Sequence, residues 1–310
     1  MRRISCLMIC TLLIFGCSDL KNEAPVAQKE WLKQWETKEG FIHFMTEDDF
    51  NDVLKNESKL QQIEKQTNFQ SFARANISNA RLSNDDLNVP KKLAGILNQD
   101  GVIQIGKWIF KMDFDQKIVF ALDEQHKLSS LKNLVEGRKS DHVYQFSFED
   151  EVLALLEEGE TGSSKNSANN GRMKLFCRGP GIGGANHQDC KNIPQNLVGA
   201  GVGVCASNQY DKYGIYFESF AVLKYLGPAQ TNTFFPSLQN YDANCNWVNN
   251  CGATGGDFFV GRNFSFDTNA GIWRSKDWFY TGSRGLKELY LEVTWRYSTL
   301  TFRPDPIDKP

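Results

Sequence analysis

Hydrophobic and polar residues alternate most cleanly near the C-terminal end of the chain. Leu289, Leu291, Val293, Trp295 and Tyr297 interleave with Tyr290, Glu292, Thr294 and Arg296. A period of two sends successive side chains to opposite faces, so this stretch predicts a strand with one buried face. Ile215, Phe217, Ser219, Ala221, Leu223 and Tyr225 form a looser version of the same pattern. Met173–Cys177, Asp257–Val260 and Ile272–Trp278 are shorter candidates, joined by segments holding Gly, Asn and Pro. Several strands without a convincing helix predict a mostly antiparallel β domain over residues 172–310, a sandwich or an open barrel.

The pattern is mixed upstream. Lys29–Lys38 is short, charged and tryptophan-bearing, and predicts one or two helical turns. Phe41–Met45 predicts a strand. Thr46 then stands before Glu47, Asp48 and Asp49, a hydroxyl that can cap a helix followed by acids that suit its positive end. Phe50, Val53 and Leu54 follow at helical spacing, and the helix continues through Leu60 and Ile63 with a break near Asn56. Pro90 opens a short helix to Leu97, and Asn98-Gln99-Asp100-Gly101 is turn chemistry. Val102–Ile105, Trp108–Met112 and Lys117–Leu122 read as a three-stranded meander. Lys127–Val135 predicts a helix, Val143–Phe148 a strand and Glu149–Glu158 a short amphipathic helix. Residues 29–158 therefore predict an α+β domain.

Between the two lies GETGSSKNSANNG, residues 159–171, without a large apolar side chain; it predicts a flexible linker. Composition changes across it. Residues 18–170 hold 26 acidic and 19 basic side chains, and residues 171–310 hold 11 and 14. The whole chain has a formal net charge of −2, which gives a nucleic acid no electrostatic footprint.

The first residues follow a different plan. Arg2 and Arg3 precede the apolar run Ile4–Phe15, then Gly16-Cys17, then a polar stretch, which is the layout of a secretory signal. A membrane span needs about 20 apolar residues, more than this run supplies. Cysteine at the cut resembles the lipobox of bacterial lipoproteins. That resemblance implies a signal over 1–16, a diacylglyceryl anchor on Cys17, a tether over 17–28 and an outer-membrane destination, because Ser18 rather than aspartate follows the cysteine.

Cys6 and Cys10 lie inside the expected signal, and no cysteine occurs between residues 18 and 176. Cys177, Cys190, Cys205, Cys245 and Cys251 all lie in the β part. An oxidising envelope favours disulfides. Cys177 with Cys190 and Cys245 with Cys251 are the nearest pairings, which leaves Cys205 as the odd thiol; sequence does not determine the connectivity. His187 and Cys190 also have spacing that could ligate zinc, with Cys177 or Cys205 completing the set. The disulfide reading is preferred, and no metal or cofactor is expected.

Gly179–Gly184 and Gly199–Gly203 are glycine-rich but complete no phosphate-binding motif. Asp242–Asn246 begins like a calcium loop, then places Trp247 and Ala253 where glycine and glutamate are required. No GxSxG elbow is present, and no local signature marks a cysteine as a nucleophile beside His43, His126, His142 or His187. No catalytic residue is nominated. Trp247, Trp273 and Trp278 are candidate binding aromatics, since rings suit sugars and peptides when exposed, although most aromatic residues fill β cores.

Three phrases carry a resemblance: Leu97–Lys111, Tyr213–Ser219 and Ser283–Lys287 are similar to stretches of uncharacterised lipid-anchored envelope proteins of the Bacteroidota. The resemblance implies location at the cell envelope and attachment to the membrane through Cys17. Taken together, the chain reads as a surface binding or interaction module with a glycan or protein ligand. The alternative is an envelope hydrolase acting on glycan or peptide.

Overall fold

The computed structural model describes residues 34–65, 69–80, 89–156, 186–193, 202–225, 241–249, 254–260, 274–297 and 300–309. Cys17, Cys177, Cys251, Trp273, the expected signal, tether and linker, and the Met173–Cys177 strand lie outside the described residues. Elements are numbered along the described chain.

A six-stranded sheet comes first: β1 (Trp35–Lys38), β2 (Phe41–Phe44), β3 (Val102–Ile105), β4 (Trp108–Asp113), β5 (Ile118–Asp123) and β6 (Val143–Ser147), in that order across the sheet. Trp35–Lys38 is thus a strand and not the helical turn its charge suggests. It pairs antiparallel with β2, Trp35 opposite Phe44, and its indole is buried; tertiary pairing overrides a weak local preference. β2 and β3 are parallel, and the other neighbours are antiparallel. A parallel pair needs a long crossover. Here it carries α1 (Glu47–Lys55), α2 (Glu57–Glu64), α3 (Phe72–Ala80) and α4 (Lys91–Ile96).

Local chemistry explains these helices. The Thr46 hydroxyl accepts from the Asp49 N–H at 3.1 Å and the Asp49 carboxylate accepts from the Thr46 N–H at 3.1 Å, a reciprocal capping box. Phe50, Val53 and Leu54 are fully buried, worth about 1.5–3 kcal/mol each. Asn56 breaks the helix and caps the next one through Ser58 N–H at 3.1 Å. On the other sheet face α5 (Lys127–Val135) covers Ile109, Phe120, Leu122 and Val143.

The segment expected as an amphipathic helix is instead a 3₁₀ turn, Val152–Leu156, whose Val152, Leu153, Ala154 and Leu155 are all buried. Four consecutive buried side chains leave no polar face. The turn plugs the ground between the two halves of the molecule, and Trp108 donates its indole N–H to the Leu155 carbonyl at 3.1 Å.

The second half is built of antiparallel β-sheets, as the alternation predicts. One sheet has the order β11 (Thr254–Val260), β10 (Tyr241–Asn249), β13 (Leu286–Tyr297), β14 (Leu300–Phe302), with β15 (Ile307–Lys309) also on β13. The other has the order β12 (Arg274–Gly282), β9 (Phe217–Tyr225), β8 (Val202–Lys212), β7 (Asn186–Ile193). The two sheets share a core in which Leu289, Leu291, Val293 and Trp295 from β13 meet Val204, Ala206, Ala221 and Leu223. Among the described residues no helix is long and apolar enough to cross a membrane.

Candidate functional site

Among the described residues a polar cluster lies where the halves meet, and two hairpin turns of the second half build it. The first is the β8–β9 turn. Ile215 and Tyr216 are fully buried within the core of the first half. Gly214 N–H donates to the Phe148 carbonyl at 2.9 Å, and Val152 N–H donates to the Gly214 carbonyl at 3.1 Å. Gly214 has φ +74°, and a Cβ there would stand 2.7 Å from Val119 Cγ2. Only glycine meets both the conformation and the close approach.

The second turn, Gly282–Gly285, joins β12 to β13 and is gripped by α1. Glu47 and Asn51 are four residues apart, so they share one helix face. Asn51 Nδ2 donates to Ser283 Oγ at 2.7 Å, and Ser283 N–H donates to Asn51 Oδ1 at 2.9 Å. Ser283 Oγ donates to Glu47 Oε1 at 2.5 Å. Arg284 donates to Glu47 twice, Nε to Oε1 at 2.6 Å and Nη2 to Oε2 at 2.5 Å. Such a forked pair fixes orientation as well as distance.

Behind this pair the turn is held from below. Gly285 N–H donates to Glu151 Oε1 at 2.8 Å, and Leu286 N–H donates to Tyr210 Oη at 2.6 Å. Tyr280 Oη donates to the Arg284 carbonyl. A Cβ on Gly285 would lie 2.4 Å from Glu151 Oε1, so a side chain there would push away the carboxylate that holds the turn. At the margin Lys212 Nζ donates to Glu149 Oε2 at 2.8 Å.

Burial is the main reason that the Tyr210, Tyr216 and Tyr280 hydroxyls are held well above the ordinary tyrosine range; the Glu218 charge adds to it for Tyr216, and Glu151 and Glu47 for Tyr280. These phenols stay protonated and serve as hydrogen-bonding groups. Tyr216 Oη donates to Glu218 Oε2 at 2.5 Å. Ser283 is 1% exposed, so its hydroxyl meets Glu47 and Asn51 but not solvent. The arrangement ties the described residues of the two halves to each other through α1 and the Gly282–Gly285 turn.

The cysteines depart from the expected pairing. Cys190 is bonded to Cys205, not to Cys177, and Cys205 is not the odd thiol. The two face each other in the β7–β8 register, with Cα atoms 4.0 Å apart. Sequence proximity favoured Cys177; strand pairing decided for Cys205. The bond also removes Cys190 from any zinc set with His187, and among the described residues no three His, Cys, Asp or Glu side chains are placed to hold a metal. Cys245 is buried in the sandwich core on β10. The Asp242–Asn246 segment is strand, paired on both sides by β11 and β13.

Two of the three nominated tryptophans are described, and both are half-buried. Trp247 packs on the sandwich core, its ring 4.9 Å from that of Tyr280. Trp278 lies 5.4 Å from the Phe220 ring on the other face of β12, with the Lys92 ammonium of α4 5.4 Å from its ring. A bulge between Trp278 and Tyr280 sends the two side chains to opposite faces.

Of the histidines, His43 sits between Glu36, 3.4 Å from Nδ1, and the Gly106 carbonyl, 3.1 Å from Nε2. The His126 and His142 rings stack at 3.8 Å. Comparison with protein-family models, with curated proteins and with solved structures finds no match.

Proposed function

We propose that this chain is a lipid-anchored protein of a bacterial envelope, attached through Cys17, whose β-sandwich is a non-catalytic binding or interaction module. The observation that carries the reading is the grip of α1 on the Gly282–Gly285 turn. Convergent charged and hydroxyl groups are spent on fixing the sandwich to the anchor-proximal half, as Asn51 bonds to Ser283, and Ser283 and Arg284 both bond to Glu47. A rigid joint suits a module that presents loops at a constant attitude to a glycan or protein. The sequence Arg2 to Cys17 supports the anchor.

Two measurements test the proposal. Cys17→Ser should abolish palmitate labelling and leave unprocessed precursor; a variant processed and labelled like the wild type refutes the anchor. Fluorescently labelled residues 18–310 should bind saturably to the surface of envelope-intact bacteria that lack the chain. Linear, non-saturating uptake would refute the binding role.

A further inference from the structure

β7 is the terminal strand of its sheet among the described residues, and it is attached in an unusual way. The side chains it turns toward the facing sheet include Asp189 and Lys191, which are charged rather than apolar. Asp189 Oδ2 accepts from Arg303 N–H at 2.7 Å and from Lys191 Nζ at 2.6 Å, and Lys191 also donates to the Thr301 carbonyl. Both bonds across the gap reach the β14 region of the other sheet. The opposite face of the strand carries Cys190, bonded to Cys205 of β8. Among its described side chains, the grip on β7 is polar ties, the Lys191 ammonium over the Phe302 ring and one covalent bridge, added to backbone pairing.

The bridge is asymmetric. Cys205 is 6% exposed, whereas Cys190 is exposed to solvent. Displacement at a disulfide sulfur needs approach from behind, along the S–S axis. Behind Cys205 that axis runs over β9, where Lys224 is its registered partner. Behind Cys190 it runs out past the last described strand of the sheet.

We propose that Cys190–Cys205 is a thiol–disulfide exchange site, open to an external dithiol at Cys190, and that its reduction loosens β7 from the sandwich. This proposal rests on the β7–β8 geometry and not on the anchor or the binding role. One thiolate of the dithiol attacks Cys190 Sγ and forms a mixed disulfide. The Cys190–Cys205 bond breaks, and Cys205 leaves as a thiolate that takes up a proton. The second thiol of the dithiol loses its proton and attacks its own partner sulfur, releasing the Cys190 thiolate, which is then protonated. The protein gains two electrons and two protons, and the dithiol becomes a cyclic disulfide.

The bridge spans a sequence separation of 15. Closing a loop of that size restricts the open ensemble by roughly 100-fold. Reduction should therefore speed amide exchange in residues 186–193 by up to that factor, and leave β3–β5 unchanged.

The test uses the folded full-length chain. Glutathione, a monothiol, traps the first step, and peptide mapping locates the adduct. The expected adduct is on Cys190, in at least tenfold excess over Cys205. A predominant Cys205 adduct, or no adduct on either while the urea-unfolded chain is modified, overturns the proposal. Hydrogen exchange is then compared in oxidised chain, dithiothreitol-reduced chain and C190S/C205S, the last isolating this bridge from every other cysteine. Faster exchange over 186–193 in both reduced chain and variant supports the proposal. Exchange in the variant equal to that of the oxidised chain overturns it.

Discussion

Replacing Glu47 by alanine should destabilise the protein by about 3 kcal/mol, nearly all of it at the joint between the two halves. The carboxylate accepts from Ser283 Oγ and twice from Arg284. Hydrogen bonds to charged groups contribute about 1.5–3 kcal/mol, and fully exposed ion pairs about 0–1 kcal/mol. The Arg284 and Glu47 side chains are 14% and 18% exposed, which places the forked pair between those limits, at about 2 kcal/mol. The Ser283 bond adds about 1 kcal/mol, and the acidic group in the first turn of α1 a few tenths. Glu47→Gln keeps an acceptor oxygen and loses the charge, so it should cost about half as much as alanine. A double-mutant cycle with Arg284→Ala should return a coupling of about 2 kcal/mol. Urea unfolding followed by tryptophan fluorescence and far-ultraviolet circular dichroism measures all three. Hydrogen exchange over residues 282–286 should rise in the Glu47→Ala chain. A cost or a coupling below about 0.5 kcal/mol would mean that the grip is ornamental and that apolar packing alone joins the halves.

Other perturbations reach the same joint and the sandwich. Gly214→Ala forces a methyl group to within 2.7 Å of Val119 Cγ2 at a left-handed φ; it should cost about 2–4 kcal/mol in the same denaturation assay. Tyr216→Phe takes the hydroxyl donor from the fully buried Glu218, and a loss of about 1–3 kcal/mol is expected, with an unchanged midpoint as the contrary result. Trp295→Ala empties the centre of the sandwich core, at about 3–5 kcal/mol. Burial raises the Asp189 carboxyl, but the Lys191 hydrogen bond, the Arg303 N–H and the Lys191 charge outweigh it and hold the group below its usual 3.8. A depressed carboxylate contributes stability that is present above its unfolded value and lost as pH falls through its folded value. Amide exchange, corrected for intrinsic rate, should therefore rise over β7 and β14 as the solution is acidified below about pH 4. Asp189→Asn should remove that rise; an identical acid profile in the variant would refute the tie.

Much of the first half was legible because its determinants are near neighbours. Thr46 and Asp49 cap a helix across three residues. Asn98 Oδ1 accepts from Asp100 and Val102 N–H within its own turn. The meander has short connections, so apolar runs and turn residues suffice to place it. The failures differ in cause. Trp35–Lys38 pairs with Phe41–Phe44 across the two-residue Glu39-Gly40 turn, a local hairpin hidden by the charged residues of its first strand. Val152–Leu155 is buried where Gly214 comes to meet it, and that partner lies outside any local window.

The joint itself was half written in the sequence. Glu47 was legible as an acid at a helix start, and its spacing to Asn51 put both on one face. Ser283-Arg284-Gly285 carries no chemical signal of its own in the sequence. Nothing local links the two, because 232 residues separate Asn51 from Ser283. The disulfide illustrates the same limit at shorter range. Loop length ranked Cys177 ahead of Cys205 as a partner for Cys190, yet strand register placed Cys190 and Cys205 opposite each other.

By itself, then, the sequence determined most helices of the first half, its meander, the α+β to β order and the buried faces of the most regular strands, since hydrophobic period and caps act over a few residues. Tertiary structure alone decided which cysteines bond, which tryptophans are covered and which polar groups converge. Those outcomes depend on strand register and on surfaces brought together from opposite ends of the chain, where one residue of slip would send every side chain to the other face.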